Sequence, residues 1–264
     1  MSGEKIYFKY YSGVNDDSKN AVKTAVLNFQ QRVKQNKRFL SGLNIYVVNS
    51  YSQLPQNSRL TKEMSQSDNF FATGGVTVPK EINKGKKEII VFARNQGITG
   101  IVFGANPSET DISQVTIHEI GHQFDTIFGN CPKELMNKVR QINFDNTYTK
   151  EDEAIFSEYL HKKDLSDTKE FKKAWKDDVE KSANRFNEIP LEYTPYEIDI
   201  SDGVTDEEVE QSDTARGEIF AQLFSYALGK DDGNKRKIID KYKNCYDRVK
   251  LYIKQFLGID CANQ

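Results

Sequence analysis

Hydrophobic and polar positions in the first part of the chain change between strand-like and helix-like spacing. Apolar and aromatic residues dominate positions 6–11, which predicts a first strand, and Ser12-Gly13 then turns the chain. Between residue 18 and about residue 36, apolar residues recur at helical spacing, which predicts an amphipathic helix. Residues 43–48 alternate and are β-branched, which predicts a second strand.

Three more strand-like segments follow a polar stretch over residues 51–70. They cover residues 71–78, 88–93 and 100–103. Glycine and proline at Gly74-Gly75 and Pro79 are tolerated at the edge of a sheet, so the first segment is predicted to be an edge strand. Such an edge can accept an extended peptide as an additional strand. A plain hairpin without that role is an equal alternative.

The rest of the chain has predominantly helical periodicity. One helix is predicted to follow the cap-like Asn106-Pro107-Ser108 and to end at Gly129. Later helices are predicted over residues 132–142, 151–161, 168–186, 216–228 and 235–257. Asp167 with Glu170 resembles a capping box for the helix at 168. Residues 187–213 lack periodicity and contain two prolines, which predicts a long loop.

A small mixed sheet followed by helices predicts an α+β fold. The 264 residues suit a single domain, sheet-rich over 1–105 and helical over 106–264. Apolar residues make up 37% and charged residues 29%, typical of a soluble globular protein. The net charge of -2 gives no basic surface for nucleic acid. No apolar run reaches the roughly 20 residues of a membrane span.

Cysteine usage and the N-terminus give limited information on the compartment. Cys131, Cys245 and Cys261 are too few for a disulfide scaffold, so ordinary thiols are expected. Pairing of Cys131 with a C-terminal cysteine would require an oxidising compartment. The first five residues lack the apolar core of a signal peptide. We therefore expect a protein that is either made in the cytosol or has lost a leader.

The strongest chemical signal is the motif His-Glu-x-x-His at His118-Glu119-Ile120-Gly121-His122. Residues four apart on a helix lie one turn above each other, so both imidazoles share one face. Two imidazoles at that spacing supply half of a tetrahedral zinc site. Glu119 follows the first histidine directly and can act as the general base on a water at the metal.

A catalytic zinc normally has three protein ligands, so one is still required. Asp125 and Phe128 occupy the positions at which a metzincin has glycine and histidine, which excludes that family. Glu218 is the best candidate because it lies in a largely apolar helix, where an acid is costly unless paired or metal-bound. A hydrated glutamate at the helix N-terminus is the plain alternative. Other candidates are Asp125, Glu153, Glu158 and His161.

Two motifs together resemble the catalytic domain of anthrax lethal factor and its relatives, which include the secreted Pro-Pro endopeptidases. They are the motif at residues 118–122, followed by Asp125, and the segment 218–224. The resemblance spans about residues 70–257. It implies a gluzincin-type zincin fold, with His118, His122 and Glu218 as zinc ligands and Glu119 as the base. It also implies secretion and a toxin-type role.

The chain departs from this family at three points. The stretch between His122 and Glu218 is longer than in the family, and residues 145–213 contain the additional length. Gln211 stands where the family has a tyrosine that stabilises the oxyanion, and Tyr193 or Tyr196 is a possible replacement. Gln222 replaces a second glutamate.

These observations predict a zinc-dependent metalloendopeptidase with a protein or peptide substrate. A cytosolic regulatory protease acting on one partner protein is an alternative within the same chemistry. A peptide-binding module with impaired catalysis is an alternative from another class, and Gln211 is the feature that favours it. Retention of Glu119 argues against that module, because binding alone needs no base beside the metal.

Overall fold

The computed structural model describes residues 5–49, 53, 75–77, 87–93, 109–129, 138, 149–152, 154–155, 164–181, 205–231 and 233–261. The chain divides into two compact units. The first comprises Met1–Arg32, Lys37–Ile120 and Asn137–Leu160, and the second comprises Val33–Asn36, Gly121–Met136 and His161–Gln264.

The described residues of the first unit contain a small mixed sheet, a long helix, the 3-10 turn Lys37–Leu40 and the start of a second long helix. Its elements are β1 (Tyr7–Tyr10), α1 (Asp16–Arg32), β2 (Asn44–Val48), β3 (Gly75–Thr77) and β4 (Glu88–Phe92). The strand order is β1-β2-β4-β3, with β1, β2 and β4 parallel and β3 antiparallel to β4. The α+β class and the mixed sheet are as predicted, and β3 lies at one end of the described sheet.

Burial explains why β2 and β4 are the central strands. Ile45, Val47 and Val48 of β2 have no exposed surface, and neither have Ile89, Ile90 and Val91 of β4. Continuous apolar runs of this kind are typical of parallel strands that are covered on both faces. The helix α1 connects β1 to β2. These strands are parallel, so a hairpin cannot join them and a crossover connection is required.

The predicted ends of the first helix are wrong at both termini. The helix begins at Asp16 because the Asn15 side chain accepts a hydrogen bond from the Ser18 N–H at 2.7 Å, as an N-cap does. It ends at Arg32, four residues before the predicted end. The N–H groups of Lys34 and Gln35 donate to the Leu257 carbonyl instead, at 2.8 and 3.0 Å.

Helices form the second unit, and its first helix begins in the first unit. The helices are α2 (Glu109–Phe128), α3 (Lys169–Lys181), α4 (Asp206–Gln211), α5 (Asp213–Ala227), α6 (Lys235–Lys241) and α7 (Lys243–Tyr252). A π-helical turn, Ile253–Leu257, continues α7. No helix in the described part of the chain combines the length and apolar character that a membrane span requires.

Aromatic side chains from four of these elements form the core of the second unit. The Phe124 ring of α2 lies 5.0 Å from the Phe224 ring of α5, measured between centroids. Phe171 of α3 lies 5.3 Å from Phe220 of α5, and Phe256 of the π-helical turn lies 4.9 Å from Phe128 of α2. The core therefore joins α2 and α5 directly.

The single helix predicted over residues 235–257 is wrong, because the chain leaves helical geometry at Tyr242. The Asp178 carboxylate of α3 accepts hydrogen bonds from the N–H groups of Asn244 and Cys245, at 3.2 and 2.9 Å, and from the Asn244 amide at 2.7 Å. These bonds satisfy the free N–H groups of a new helix start. The cap thus comes from another helix.

Two further predictions are corrected. The loop predicted over residues 187–213 contains α4 and the first residue of α5, while residues 182–204 lie outside the described part. The capping box of Asp167 and Glu170 is wrong, because the residue that caps the helix is Thr168, whose hydroxyl oxygen accepts a hydrogen bond from the Phe171 N–H at 3.3 Å.

The strand predicted over residues 100–103 lies outside the described residues, and so do most of the helices predicted over 132–142 and 151–161.

Lys241 of α6 generates a prediction on stability. It is buried, and burial lowers the pKa of its amine from 10.5 to about 8. Between these two values the unfolded chain binds more protons than the folded one, so wild-type stability rises with pH in that window. We expect Lys241→Met to increase the free energy of unfolding at pH 7 by about 1 kcal/mol.

The gain should shrink as the pH approaches 10, because wild-type Lys241 is then neutral in the fold. Urea unfolding of both proteins at pH 7 and pH 10 measures this difference. A gain that is equal at the two pH values would show that the charge of Lys241 has no part in it.

Candidate metal centre

The helix α2 presents both histidines on one face. Its buried apolar residues, Ile112, Ile117, Ile120, Phe124, Ile127 and Phe128, recur at helical spacing. The helix ends at Phe128, directly before the predicted stop at Gly129. His118 and His122 are four residues apart within it, which places one imidazole a turn above the other.

The helix α5 brings the acidic residue. Every residue from Ile219 to Leu228 is buried, as the apolar sequence predicted. Glu218 lies near the start of this helix, and its side chain retains 35% of its surface exposed. The Glu218 side chain is therefore partly exposed to solvent, although the helix that follows it is buried.

His118, His122 and Glu218 form a group that could hold a metal ion. One possible ligand atom from each lies within 4.8 Å of the other two, and the three residues are buried or half-buried. His122 Nε2 lies 3.4 Å from Glu218 Oε1. Within the described residues, this is the one such group of histidines, cysteines and acids.

The separation of His122 Nε2 and Glu218 Oε1 is compatible with a tetrahedral metal site. Ligand atoms about 2.0–2.1 Å from a tetrahedral ion lie about 3.3 Å from each other. The 3.4 Å between His122 and Glu218 matches that edge, and it exceeds the usual length of an N–H···O hydrogen bond, about 2.7–3.2 Å. Two imidazoles and one carboxylate form the donor set of catalytic sites, which keep a fourth position open.

Glu119 is buried, with 4% of its surface exposed. It is not one of the three clustered donors. A buried carboxylate is costly to the fold unless it interacts with a partner.

The alternative third ligands have separate outcomes. Both carboxylate oxygens of Asp125 accept hydrogen bonds from Ser166, one from the N–H and one from the hydroxyl, each at 2.7 Å. Burial raises the pKa of Asp125 well above its ordinary value, the charge of Asp164 adds to this, and the Ser166 bonds oppose it. Both Asp125 oxygens are thus engaged by Ser166, and Asp125 is not one of the clustered donors. The other candidates, Glu153, Glu158 and His161, lie outside the described residues.

Gly121, inside the motif, permits α2 and α5 to approach each other closely. A Cβ atom at this position would lie 2.9 Å from the Ala221 Cα and 3.1 Å from the Ala221 carbonyl oxygen. Both are backbone atoms, which cannot move aside as a flexible side chain can. Ala221 follows Glu218 by three residues, so this contact lies about one turn from the third ligand.

Two residues that sequence reasoning overlooked lie close to the centre. Arg216 is fully buried although it carries a charge, and Ser166 is buried in the 3-10 turn Leu165–Asp167. A charged residue at the start of an apolar helix was the only signal for Arg216. Of the two glutamines that replace expected family residues, Gln222 is buried and Gln211 ends α4.

Comparison of the chain with protein-family models, with curated proteins and with solved structures gives no match.

The contact at Gly121 generates a prediction with a matched control. We expect Gly121→Ala to lower the free energy of unfolding by about 1–3 kcal/mol, because the added methyl group overpacks the crossing with α5. A Cβ atom added at Gly217 of α5 would meet no neighbouring atom within 4 Å. Gly217→Ala should therefore be neutral or stabilise by up to about 1 kcal/mol, through helix propensity.

Chemical denaturation of both variants measures the contrast. Equal stability changes at the two glycines would contradict the close approach of α2 and α5.

Proposed function

We propose that the protein is a zinc-dependent metalloendopeptidase of the gluzincin type, with a zincin-like fold. The observation that carries the proposal is the convergence of His118 and His122 from α2 with Glu218 from α5. Sequence spacing alone made the two histidines neighbours. The acid comes from a helix distant in sequence, and it is the residue that the resemblance to lethal factor implies.

The proposal assigns each residue one role. His118, His122 and Glu218 would hold the metal, and Glu119 is the general base. When bound, zinc supplies a Lewis acid that polarises the scissile carbonyl and lowers the pKa of a water. Glu119 removes a proton from the attacking water and delivers it to the leaving amine. The burial of Glu119 supports this role, because electrostatic interactions are stronger in a site from which water is excluded.

The resemblance extends the proposal beyond the chemistry. Relatives of lethal factor cleave proteins after secretion, so a protein substrate and a secreted, toxin-type role are proposed for this chain as well. The motif at residues 118–122 and the segment 218–224 support this part.

The role of Glu119 is tested with Glu119→Gln. The amide cannot accept the proton, so we expect cleavage of a peptide library to fall by about 10²–10⁴-fold. Zinc content, measured by elemental analysis, should stay near that of the wild type. Cleavage at the wild-type rate by Glu119→Gln would refute the assignment of the base.

The role of Glu218 is tested by zinc affinity in competition with a chelator. We expect Glu218→Ala to weaken binding by more than the approximately 100-fold that loss of an outer contact can cost. Asp213, an exposed acid at the start of the same helix, provides the control Asp213→Ala, which should bind zinc as the wild type does. Equal affinities for Glu218→Ala and the wild type would move the third ligand elsewhere.

A further inference from the structure

The turn Leu165–Asp167 is hydrogen bonded to the helix that carries the histidines. Ser166 is buried, and it donates its N–H to Asp125 Oδ1 and its hydroxyl to Asp125 Oδ2, each at 2.7 Å. Asp125 lies three residues after His122 on α2, close to one turn away. Both oxygens of a fully buried carboxylate are thus bonded to one residue of the turn, which fixes α2 relative to it.

The same turn is bonded to the helix that carries Glu218. Arg216 of α5 donates from Nε to the Ser166 carbonyl at 3.2 Å and from NH2 to Asp167 Oδ1 at 2.6 Å. Its NH1 donates to the Val209 carbonyl of α4. The guanidinium is planar and its donors have fixed directions, so three acceptors determine its position. Arg216 precedes Glu218 by two residues.

Ser166 therefore contacts both helices of the candidate metal centre, through its backbone N–H and carbonyl and through its side chain. Its N–H and hydroxyl bind Asp125 of α2, and its carbonyl binds Arg216 of α5. The aromatic core and the contact at Gly121 bring the helices together, but apolar packing specifies direction less strictly than hydrogen bonds do. The polar connection adds a constraint on how far α5 can slide or rotate against α2.

We propose that Asp125, Ser166 and Arg216 are positioning residues that hold the Glu218 carboxylate opposite His122 in metal-binding geometry. This inference rests on the proposed function, since it concerns the ligands assigned there. None of the three belongs to the group of candidate metal ligands. Their effect is on metal affinity, through the 3.4 Å separation of His122 Nε2 and Glu218 Oε1.

Ser166→Ala and Arg216→Lys test the proposal in the full chain. The first removes the hydroxyl bond to Asp125, and the second keeps the charge but loses the planar donors. We expect zinc affinity, measured by chelator competition, to fall about 10–100-fold in each, as for other contacts behind metal ligands. If Arg216→Lys fails to fold, the milder Ser166→Ala decides alone. Wild-type affinity in folded Ser166→Ala would overturn the inference.

A matched control separates positioning from general stability. Asp178 of α3 is also a buried carboxylate with several hydrogen bonds, but those bonds cap α7 instead of reaching α2 or α5. Asp178→Asn should lower the melting temperature and leave zinc affinity at the wild-type value. If Asp178→Asn weakens zinc binding as much as Ser166→Ala does, the effect is one of stability, and the inference is overturned.

A double-mutant cycle tests whether the effect passes through Glu218. In a Glu218→Ala background, Ser166→Ala should weaken zinc binding by less than threefold, because the positioned ligand is already absent. Additive losses would show that Ser166 acts elsewhere, which overturns the inference and leaves the proposed function intact. A wild-type protein that binds no zinc would overturn the proposed function, and the inference with it.

Discussion

The close approach of α2 and α5 at Gly121 and Ala221 is the constraint on which the candidate metal centre depends. His122 follows Gly121 directly, and Glu218 precedes Ala221 by three residues, so the candidate ligands of both helices lie near the contact. The absence of a side chain at Gly121 lets backbone meet backbone there. A larger residue would separate the helices, and the 3.4 Å distance between His122 and Glu218 would increase with that separation.

Packing and polar bonding have different roles around this contact. Phe124 of α2 packs against Phe224 of α5, and the hydrophobic effect that favours this contact is non-directional. The buried charge of Arg216 is tolerable only while Asp167 and two carbonyl groups remain its acceptors. A displacement of α5 would break these bonds and leave the charge without partners. The geometry of the centre is therefore specified by groups that are costly to separate.

Local periodicity was sufficient to predict the helix of the histidines, the apolar character of α5 and the mixed sheet. These features depend on residues that are near in sequence. The break at Tyr242 could not be predicted, because the cap is the carboxylate of Asp178 on another helix. The hydrogen bonds of Ser166 to Asp125 and of Asp167 to Arg216 could not be predicted for the same reason, because these partners are distant in sequence. Gly121 was visible as a motif position, but its steric role required the position of Ala221.

The donor set of the metal is the central claim, and zinc-edge X-ray absorption on the zinc-loaded protein measures it directly. The account predicts nitrogen and oxygen neighbours at about 2.0–2.1 Å, with outer-shell scattering from two imidazoles. Sulfur scattering at about 2.3 Å would instead place the metal at a cysteine and contradict the account. A spectrum with fewer than two imidazoles would contradict the pairing of His118 with His122.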